Sequence, residues 1–359
     1  MKVVVSSLVS SLCAGLLLTG GSTLSTKYST ERALKFEIST SNRMETTTME
    51  MEVDGEPQDT GGRGGASTES ENTEIHVDHV MEVTDGKPTK VRRTFEKVGG
   101  TASMTFGDQS RDSAIESPFQ GVTLELVAGK DGAVETTVVD GKEPESEGAL
   151  KGHHLETFLD GLLPASAVEV DATWDLEKDA ISRALRLDVR KALYPRPQRG
   201  GGGGEGGGGD RPRRGGGGGR GNSVLDTAEW KGTAKLVSAD KEIDGVSCSV
   251  IELKLEATGD MEMPEMRGPR GGVYAPEAAL ENRMNYSVKL EGTFAFANKE
   301  KRPVKLDLEG KMRTETRTEM TREDRTMKMH SVQEGKIEYA ITCTEEATKV
   351  EKSEKKDSK

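Results

Sequence analysis

The chain has 359 residues, of which 33% are hydrophobic and 31% are charged, and its net charge is −12. This acidic balance argues against a nucleic-acid partner, because binding to a phosphate backbone needs clustered positive charge. Aromatic residues make up only 4%, while there are 43 glycines and 14 methionines, so the core must be built from Val, Leu, Ile and Met.

The start of the chain has the pattern of a secretory signal. Lys2 precedes an apolar stretch that ends at Leu18, and small residues follow it at 19–22. We therefore predict that residues 1–22 form a signal peptide and that the chain is exported, to the periplasm or outside the cell.

Neither a membrane span nor a lipid anchor is expected. The apolar stretch is shorter than the 18 or more residues that a spanning helix needs, and no later segment is apolar enough. Leu12 precedes Cys13 at the position where a lipoprotein signal has a small residue, which disfavours lipidation.

Alternating apolar and polar residues dominate the part of the chain that follows, and this period of two predicts half-buried β-strands. Asp-Gly pairs between several of the runs favour hairpin turns, because Gly adopts the positive φ that such turns need. The predicted strands are 33–53, 75–83, 90–98, 122–127 and 134–139.

Two segments in the middle of the chain have helical spacing instead. Apolar residues recur every three or four positions over 153–163 and 175–193, which predicts two short amphipathic helices. Asp175 is a suitable N-cap for the second helix, and Pro195 ends it.

Residues 196–222 consist mainly of glycine blocks and arginines, which form no core and predict a disordered linker. Arginine-glycine tracts also occur in RNA-binding proteins, but this tract lacks aromatic residues and contains Glu205 and Asp210. We therefore interpret it as a linker and expect no nucleic-acid partner. Shorter glycine-rich segments at 55–72 and 264–272 predict loops between strands.

Alternation returns after the linker, and residues 346–359 form a mixed-charge tail that we expect to be disordered. Asp244-Gly245 and Glu334-Gly335 are turn signals. The predicted strands are 230–237, 246–257, 285–297, 304–320, 326–332 and 336–344. This order of elements predicts an α+β protein, mostly antiparallel, with a β-rich half at 28–195 and a second β half at 223–345.

Histidines are the main candidates for metal ligands. On a strand, His76 and Asp78 share a face while His79 points away, so three ligands do not converge. We interpret these three as exposed strand positions and His153-His154 as a helix start, and we expect no metal site.

Catalytic motifs are also missing from the sequence. It contains no H-E-x-x-H, no G-x-S-x-G and no C-x-x-C, and its many carboxylates single out no acid-base pair. We therefore name no catalytic residue and no cofactor, and we expect a protein that is not an enzyme.

Two cysteines remain once the signal is removed, Cys248 and Cys343, and each lies in a predicted strand. In an oxidising compartment they are candidates for a disulfide that closes a loop of about a hundred residues. Two buried, unpaired thiols are the alternative, and the sequence does not choose between them.

The segment 311–325 alternates charged residues with Met and Thr, so one face is a charge ladder in water and the other is rich in methyl groups. Met adapts to irregular apolar guests, so this second face is a candidate lining for a lipid-like ligand. The candidate ligand-binding residues are Met49, Met51, Met312 and Met320. An ordinary sheet core with Met as filler is the alternative.

The long alternating strands, a helical insertion and the run from Leu163-Pro164 through Val168, Val170, Asp171 and Trp174 resemble uncharacterised exported bacterial β proteins. Their sheet is similar to the half-barrel of lipoprotein carriers. The resemblance implies a curved antiparallel sheet with two helices inserted in mid-chain and an apolar cavity.

These observations predict an exported, non-enzymatic binding protein that holds an apolar small molecule or an envelope component in a curved sheet. The alternative is a structural or protein-interaction module of the cell envelope with a solid core. Binding of a lipophilic dye distinguishes the two.

Overall fold

A computed structural model describes residues 21–60, 65–145, 148–195, 221–262, 282–322 and 325–347. Most of the predicted signal peptide and linker, the predicted loop at 264–272 and most of the charged tail lie outside these ranges.

The described residues form thirteen strands, three α-helices and one 3-10 turn. The strands are β1 (Arg32–Val53), β2 (Glu56–Pro57), β3 (Ser67–Thr84), β4 (Lys87–Phe106), β5 (Gln109–Glu116), β6 (Thr123–Ala128), β7 (Val134–Asp140), β8 (Thr173–Leu176), β9 (Trp230–Ile243), β10 (Val246–Glu262), β11 (Asn282–Ala297), β12 (Arg302–Arg322) and β13 (Arg325–Ala347). The helices are α1 (Lys178–Ala184), α2 (Arg190–Leu193) and α3 (Gly221–Thr227), and the 3-10 turn is Asp160–Leu162.

All thirteen strands belong to one open, curved sheet. Its order is β7-β6-β4-β3-β1-β13-β12-β11-β10-β9-β8, with β2 beside β1 and β5 beside β4. Every pairing is antiparallel, which confirms the predicted fold class. Both predicted halves contribute strands to this sheet, and they pair with each other twice, β1 with β13 and β8 with β9.

The predicted helices are shorter than the sequence indicated. Only the 3-10 turn lies within 153–163, and 175–193 contains α1 and α2 with a break between them. Asp175 belongs to β8, where the backbone pairs with β9, so the helix begins two residues later with Glu177 as N-cap. Arg186 has a φ of 58°, a left-handed conformation that stops α1 from continuing.

The expected turn at Glu334-Gly335 is wrong, because both residues lie inside the continuous strand β13. Gly335 has another purpose there: a Cβ atom at this position would lie 1.9 Å from the carbonyl oxygen of Arg43. Glycine therefore permits the close approach of β1 to β13. The sequence also missed β5, and β3 begins at Ser67, inside a predicted loop.

One face of the sheet, here called the inner face, packs against the helices. We call residues 153–193, which contain the 3-10 turn, α1 and α2, the helical segment. The largest apolar cluster lies on the inner face and combines strand residues such as Phe36, Ile251 and Leu290 with Ile181 and Leu185 of this segment. The opposite, outer face is mostly polar. The sheet is therefore two-sided, and the helical segment covers only part of its inner face.

Cys248 and Cys343 are both free, buried thiols. Of the two alternatives left open by the sequence, the structure therefore shows unpaired thiols and no disulfide between them. Strands β11 and β12 separate β10 from β13, which puts the two cysteines about 14 Å apart at usual strand spacing, well beyond disulfide reach. Burial raises the pKa of the Cys343 thiol to about 12, which further lowers its reactivity.

Thiol titration checks this arrangement. In a chain without residues 1–22, we expect no rapid reaction of the native protein and two reactive thiols after denaturation without reductant, because both sulfurs are buried and unbridged. The same titration after reduction is the control. An increase in thiols on reduction would contradict the structure.

Candidate functional site

Two features of the inner face are candidates for function, and the first is a buried cluster of charged residues. On β3 the polar residues Glu74, His76 and Asp78 point inward and are buried, while Ile75 and Val77 lie half-buried on the outer face. The expectation that His76 and Asp78 are exposed is therefore wrong. His153, which was expected at a helix start, is also buried and belongs to no helix.

Asp78 is paired with Arg93 of the neighbouring strand β4. The guanidinium donates from Nε and Nη2 to the two carboxylate oxygens of Asp78, each at 2.7 Å, and also donates to the carbonyl of His154 at 3.3 Å. Burial alone would raise the pKa of Asp78, but the charge and hydrogen bonds of Arg93 hold it below its ordinary value. Both side chains are thus ionised in the core.

Glu74 has its own cation, Arg186, which follows α1. Arg186 Nη2 donates to Glu74 Oε1 at 2.7 Å, and its guanidinium lies 4.8 Å from the centre of the Phe158 ring. Although burial opposes ionisation of Glu74, the charge of Arg186 and the contact with His76 hold its pKa well below the usual range. This pair links the sheet to the helical segment.

Two neutral imidazoles complete the cluster. The His76 ring stacks on Phe36, with ring centres 5.1 Å apart, and its Nδ1 lies 2.9 Å from Glu74 Oε1 without hydrogen-bond alignment. Burial lowers the pKa of His76, and it lowers the pKa of His153 still further, helped by the positive charge of Arg93. Both rings are therefore uncharged near neutral pH.

We call this cluster a clamp, because its ion pairs connect β3 to β4 and to the helical segment. Its charges balance in two pairs, and its members are packed against aromatic rings, which leaves a substrate no access to them. A second clamp is close by: Asp160, in the 3-10 turn, accepts hydrogen bonds from Thr26, Tyr28 and Thr157. Together the two clamps hold the helical segment and the chain before β1 onto the sheet.

No group of three or more His, Cys, Asp or Glu side chains that could hold a metal ion occurs among the described residues. Within the same ranges, no helix has the length and hydrophobicity that crossing a membrane requires.

The second feature lies at the far end of the inner face, where β1, β13, β12, β11 and β10 extend beyond the helices. Methionines on these strands form a patch that we call the methionine face: Met49, Met51, Met261, Met284, Met320, Met327 and Met329. Met284 is buried and the other six are half-buried. Half of the methionines in the chain are therefore on this one patch.

A β-bulge in β1 places its methionines there. The register of β1 against β13 shifts between Thr46 and Thr48, so Met44 and Met51 share the inner face although they are seven positions apart in the sequence. Without the extra residue, Met49 and Met51 would point outward, because a shift of one residue exchanges the two faces of a strand.

Strand register brings the methionines together in rows. Met51 lies directly opposite Met329, Met327 opposite Met320, and Met261 opposite Met284. Val53 and the neutral polar residues Thr316, Thr318 and Ser331 lie in the same rows on the inner face. One described charged residue, the exposed Glu56 of β2, lies opposite Val53 at the end of one row. The patch is therefore mainly apolar, with a few hydrogen-bonding groups and a carboxylate at its edge.

The four sequence candidates do not all lie together. Met49, Met51 and Met320 belong to the methionine face, whereas Met312 is 1% exposed and lies in the apolar core. The sequence did not single out Met261, Met284, Met327 or Met329, whose partners across the sheet are known only from the register.

The outer face has a different character. Arg313 and Arg317 are exposed there, as the predicted charge ladder requires, and Arg313 donates to Glu334 at 2.5 Å. A shallow groove of about 630 Å³ on this face is lined mostly by Lys, Arg and Glu side chains. Such a lining does not suit an apolar guest.

No family model and no curated relative matches the chain. A solved structure of lipovitellin, described as showing lipid–protein interactions, is 7% identical with a TM-score of 0.34, and the match covers 90% of this chain and 26% of that one. Pseudomonas aeruginosa OpdQ is 8% identical with a TM-score of 0.16, over 87% of this chain and 99% of that one. The chain spans about a quarter of the lipovitellin chain, and neither likeness is close enough to support an argument about function.

Proposed function

We propose that this is an exported, non-enzymatic binding protein that holds an apolar ligand on the methionine face. The observation that carries the proposal is that five half-buried methionines occupy neighbouring inner-face positions on β1, β12 and β13, namely Met49, Met51, Met320, Met327 and Met329. The described helices pack elsewhere on this face, over the apolar core.

Side-chain chemistry supports an apolar guest. Met side chains are unbranched and polarizable, so they adapt to ligands of irregular shape. The rows are mainly apolar, with the exposed Glu56 at one edge, and their neutral polar groups, such as Thr316 and Ser331, suit a ligand with one hydrogen-bonding end. A long-chain alcohol, ester or protonated fatty acid has this chemistry.

A structural or protein-interaction module is the second candidate. It is favoured by the dense packing under the helices, where the inner face is filled by Phe36, Leu253, Leu290 and other buried side chains. This candidate requires no ligand on the methionine face.

Dye binding to the chain without residues 1–22 tests the proposal. We expect saturable fluorescence of a lipophilic dye that a long-chain alcohol displaces. The double substitution Met51→Ser and Met329→Ser should weaken binding at least about tenfold, because burying an apolar side chain contributes about 1.5–3 kcal/mol.

The matched control is Glu52→Ser with Lys328→Ser, the next directly paired residues on the same two strands, which are exposed on the outer face. This control should bind dye as the unmodified chain does. An unmodified chain that shows no saturable binding would overturn the proposal and favour the structural module.

A further inference from the structure

Four members of the methionine face occupy adjoining positions. Met51 lies opposite Met329, and Met327 lies opposite Met320. Met327 and Met329 are two residues apart on β13, so their side chains leave the strand on the same face. The middle strand β13 thus contributes two methionines, and each neighbouring strand contributes one.

We infer that Met327 and Met329, together with Met320 or Met51, form a three-thioether site for a soft monovalent metal ion of the Cu(I) class. Directly opposed Cβ atoms are about 5 Å apart, and residues two apart on a strand are about 6.8 Å apart. A point about 2–3 Å above the middle of Met329, Met327 and Met320 is therefore about 5 Å from each Cβ. A Met side chain, with three rotatable bonds, reaches such a point.

The donor atoms decide the kind of ion. Thioether sulfur is a neutral, soft ligand that favours Cu(I), whereas Mg²⁺ and Ca²⁺ require oxygen ligands. The described carboxylate in these rows, Glu56, lies two strands away from Met327, beyond Val53, so three thioethers and not oxygen atoms surround the proposed position.

Filling gaps in the core does not account for these methionines. Under the helices, where packing is dense, the inner face uses mainly Leu, Ile, Val and Phe. Met327, Met329, Met320 and Met51 instead lie half-exposed beyond that region. Met is also not among the residues that are enriched in β-strands, so β-propensity does not explain these methionines.

Methyl NMR with Ag(I), a soft ion that does not change oxidation state in the experiment, tests the inference. In a chain labelled with ¹³C at the Met methyl groups, the resonances of Met327 and Met329 should shift and saturate at one ion per chain. Resonances of the core residues Met44 and Met312 should not move. Unchanged Met327 and Met329 resonances at saturating Ag(I) would overturn the inference.

The substitutions Met327→Leu and Met329→Leu remove the thioethers but keep an apolar surface of similar volume. The remaining Met51 and Met320 resonances should then require more than about 100-fold more Ag(I), since even losing an outer-shell partner of a metal ligand costs 10–100-fold. Met44→Leu with Met312→Leu is the control. Equal Ag(I) affinity in both double variants would contradict a site at Met327 and Met329.

This inference is separable from the apolar-ligand proposal. Met327→Leu with Met329→Leu should still bind lipophilic dye, because the patch stays apolar. If the unmodified chain binds Ag(I) but no dye, only the apolar-ligand proposal fails. If it binds dye but its Met methyl resonances do not shift with Ag(I), only the metal-site inference is wrong.

Discussion

Replacing Arg93 by Met should lower the free energy of unfolding by about 3–5 kcal/mol, because it leaves the carboxylate of Asp78 buried without its cation. Arg93 is 1% exposed, and both of its hydrogen bonds to Asp78 are 2.7 Å long. The side chain also donates to the carbonyl of His154, so the substitution loosens the helical segment as well. Urea unfolding followed by circular dichroism measures the change.

Arg313→Met is the matched control, since Arg313 forms a short ion pair with Glu334 on the outer face, where both side chains are about half exposed. Exposed pairs contribute about 0–1 kcal/mol, so this variant should stay close to the unmodified chain. Adding Asp78→Leu to Arg93→Met should recover much of the lost stability, because no buried charge is then unpaired. Equal losses for Arg93→Met and Arg313→Met would show that the Asp78 pair is accessible to water.

Acidification from about pH 7 to about pH 5 should destabilise the fold through His76 and His153. In the unfolded chain both imidazoles take up protons near pH 6.5, whereas burial lowers the pKa of each in the folded state. Below about pH 6.5 the unfolded state therefore binds more protons, and stability falls as the pH falls. The slope is at most about 1.4 kcal/mol per pH unit for each histidine.

The buried carboxylates next to His76 determine how the free energy of unfolding changes at lower pH. His76 faces Glu74 and Asp78, whose pKa values are held low by Arg186 and Arg93. The stability that these carboxylates contribute is complete above their unfolded pKa values and is lost as the pH falls below about 4. A second decline should therefore follow the first.

Urea midpoints measured across this pH range test the prediction. The double substitution His76→Gln with His153→Gln should flatten the decline between about pH 6.5 and about pH 5. His79→Gln is the control, since His79 points to the opposite face of the same strand. A decline that persists unchanged in the double variant would assign it to other groups.

The sequence predicted the sheet well because alternation and Asp-Gly turns are local signals. Asp85-Gly86 and Asp244-Gly245 both separate paired strands in the structure, and all four residues have positive φ. Glu334-Gly335 is also an acidic residue followed by glycine, but it forms no turn. Glycine is needed at position 335 because β1 approaches β13 closely there. A single chain segment does not distinguish these two uses of glycine.

The buried cluster was missed for a different reason. Alternation shows that Glu74 and Asp78 share a face, but it does not show which face is buried when the other carries Ile75 and Val77. One signal was present in β4, where Arg93 lies between Val91 and Phe95 on an apolar face. A charge in such a position requires a partner, although only the register identifies it as Asp78.

The methionine face could be predicted only in part from the sequence. Its members on β1 and β12 were visible as alternating Met and Thr, but their assembly depends on the bulge near Thr46 and on the pairing of β1 with β13. Neither is encoded in a local pattern. Met312 belongs to the same alternating pattern of Met and Thr, yet it lies in the apolar core. The local pattern therefore does not separate core methionines from those of the methionine face.

The pairing of β1 with β13 also has a consequence for the order of events in folding. Arg32 pairs with Ala347, so the ladder near the middle of the sheet joins the first long strand to the last. A chain still being synthesised has β1 with one edge unpaired until almost the whole sequence has been made, and such edges are sites of aggregation. We therefore expect slow, late folding with high contact order, and an advantage for any chaperone that shields β1 in the meantime.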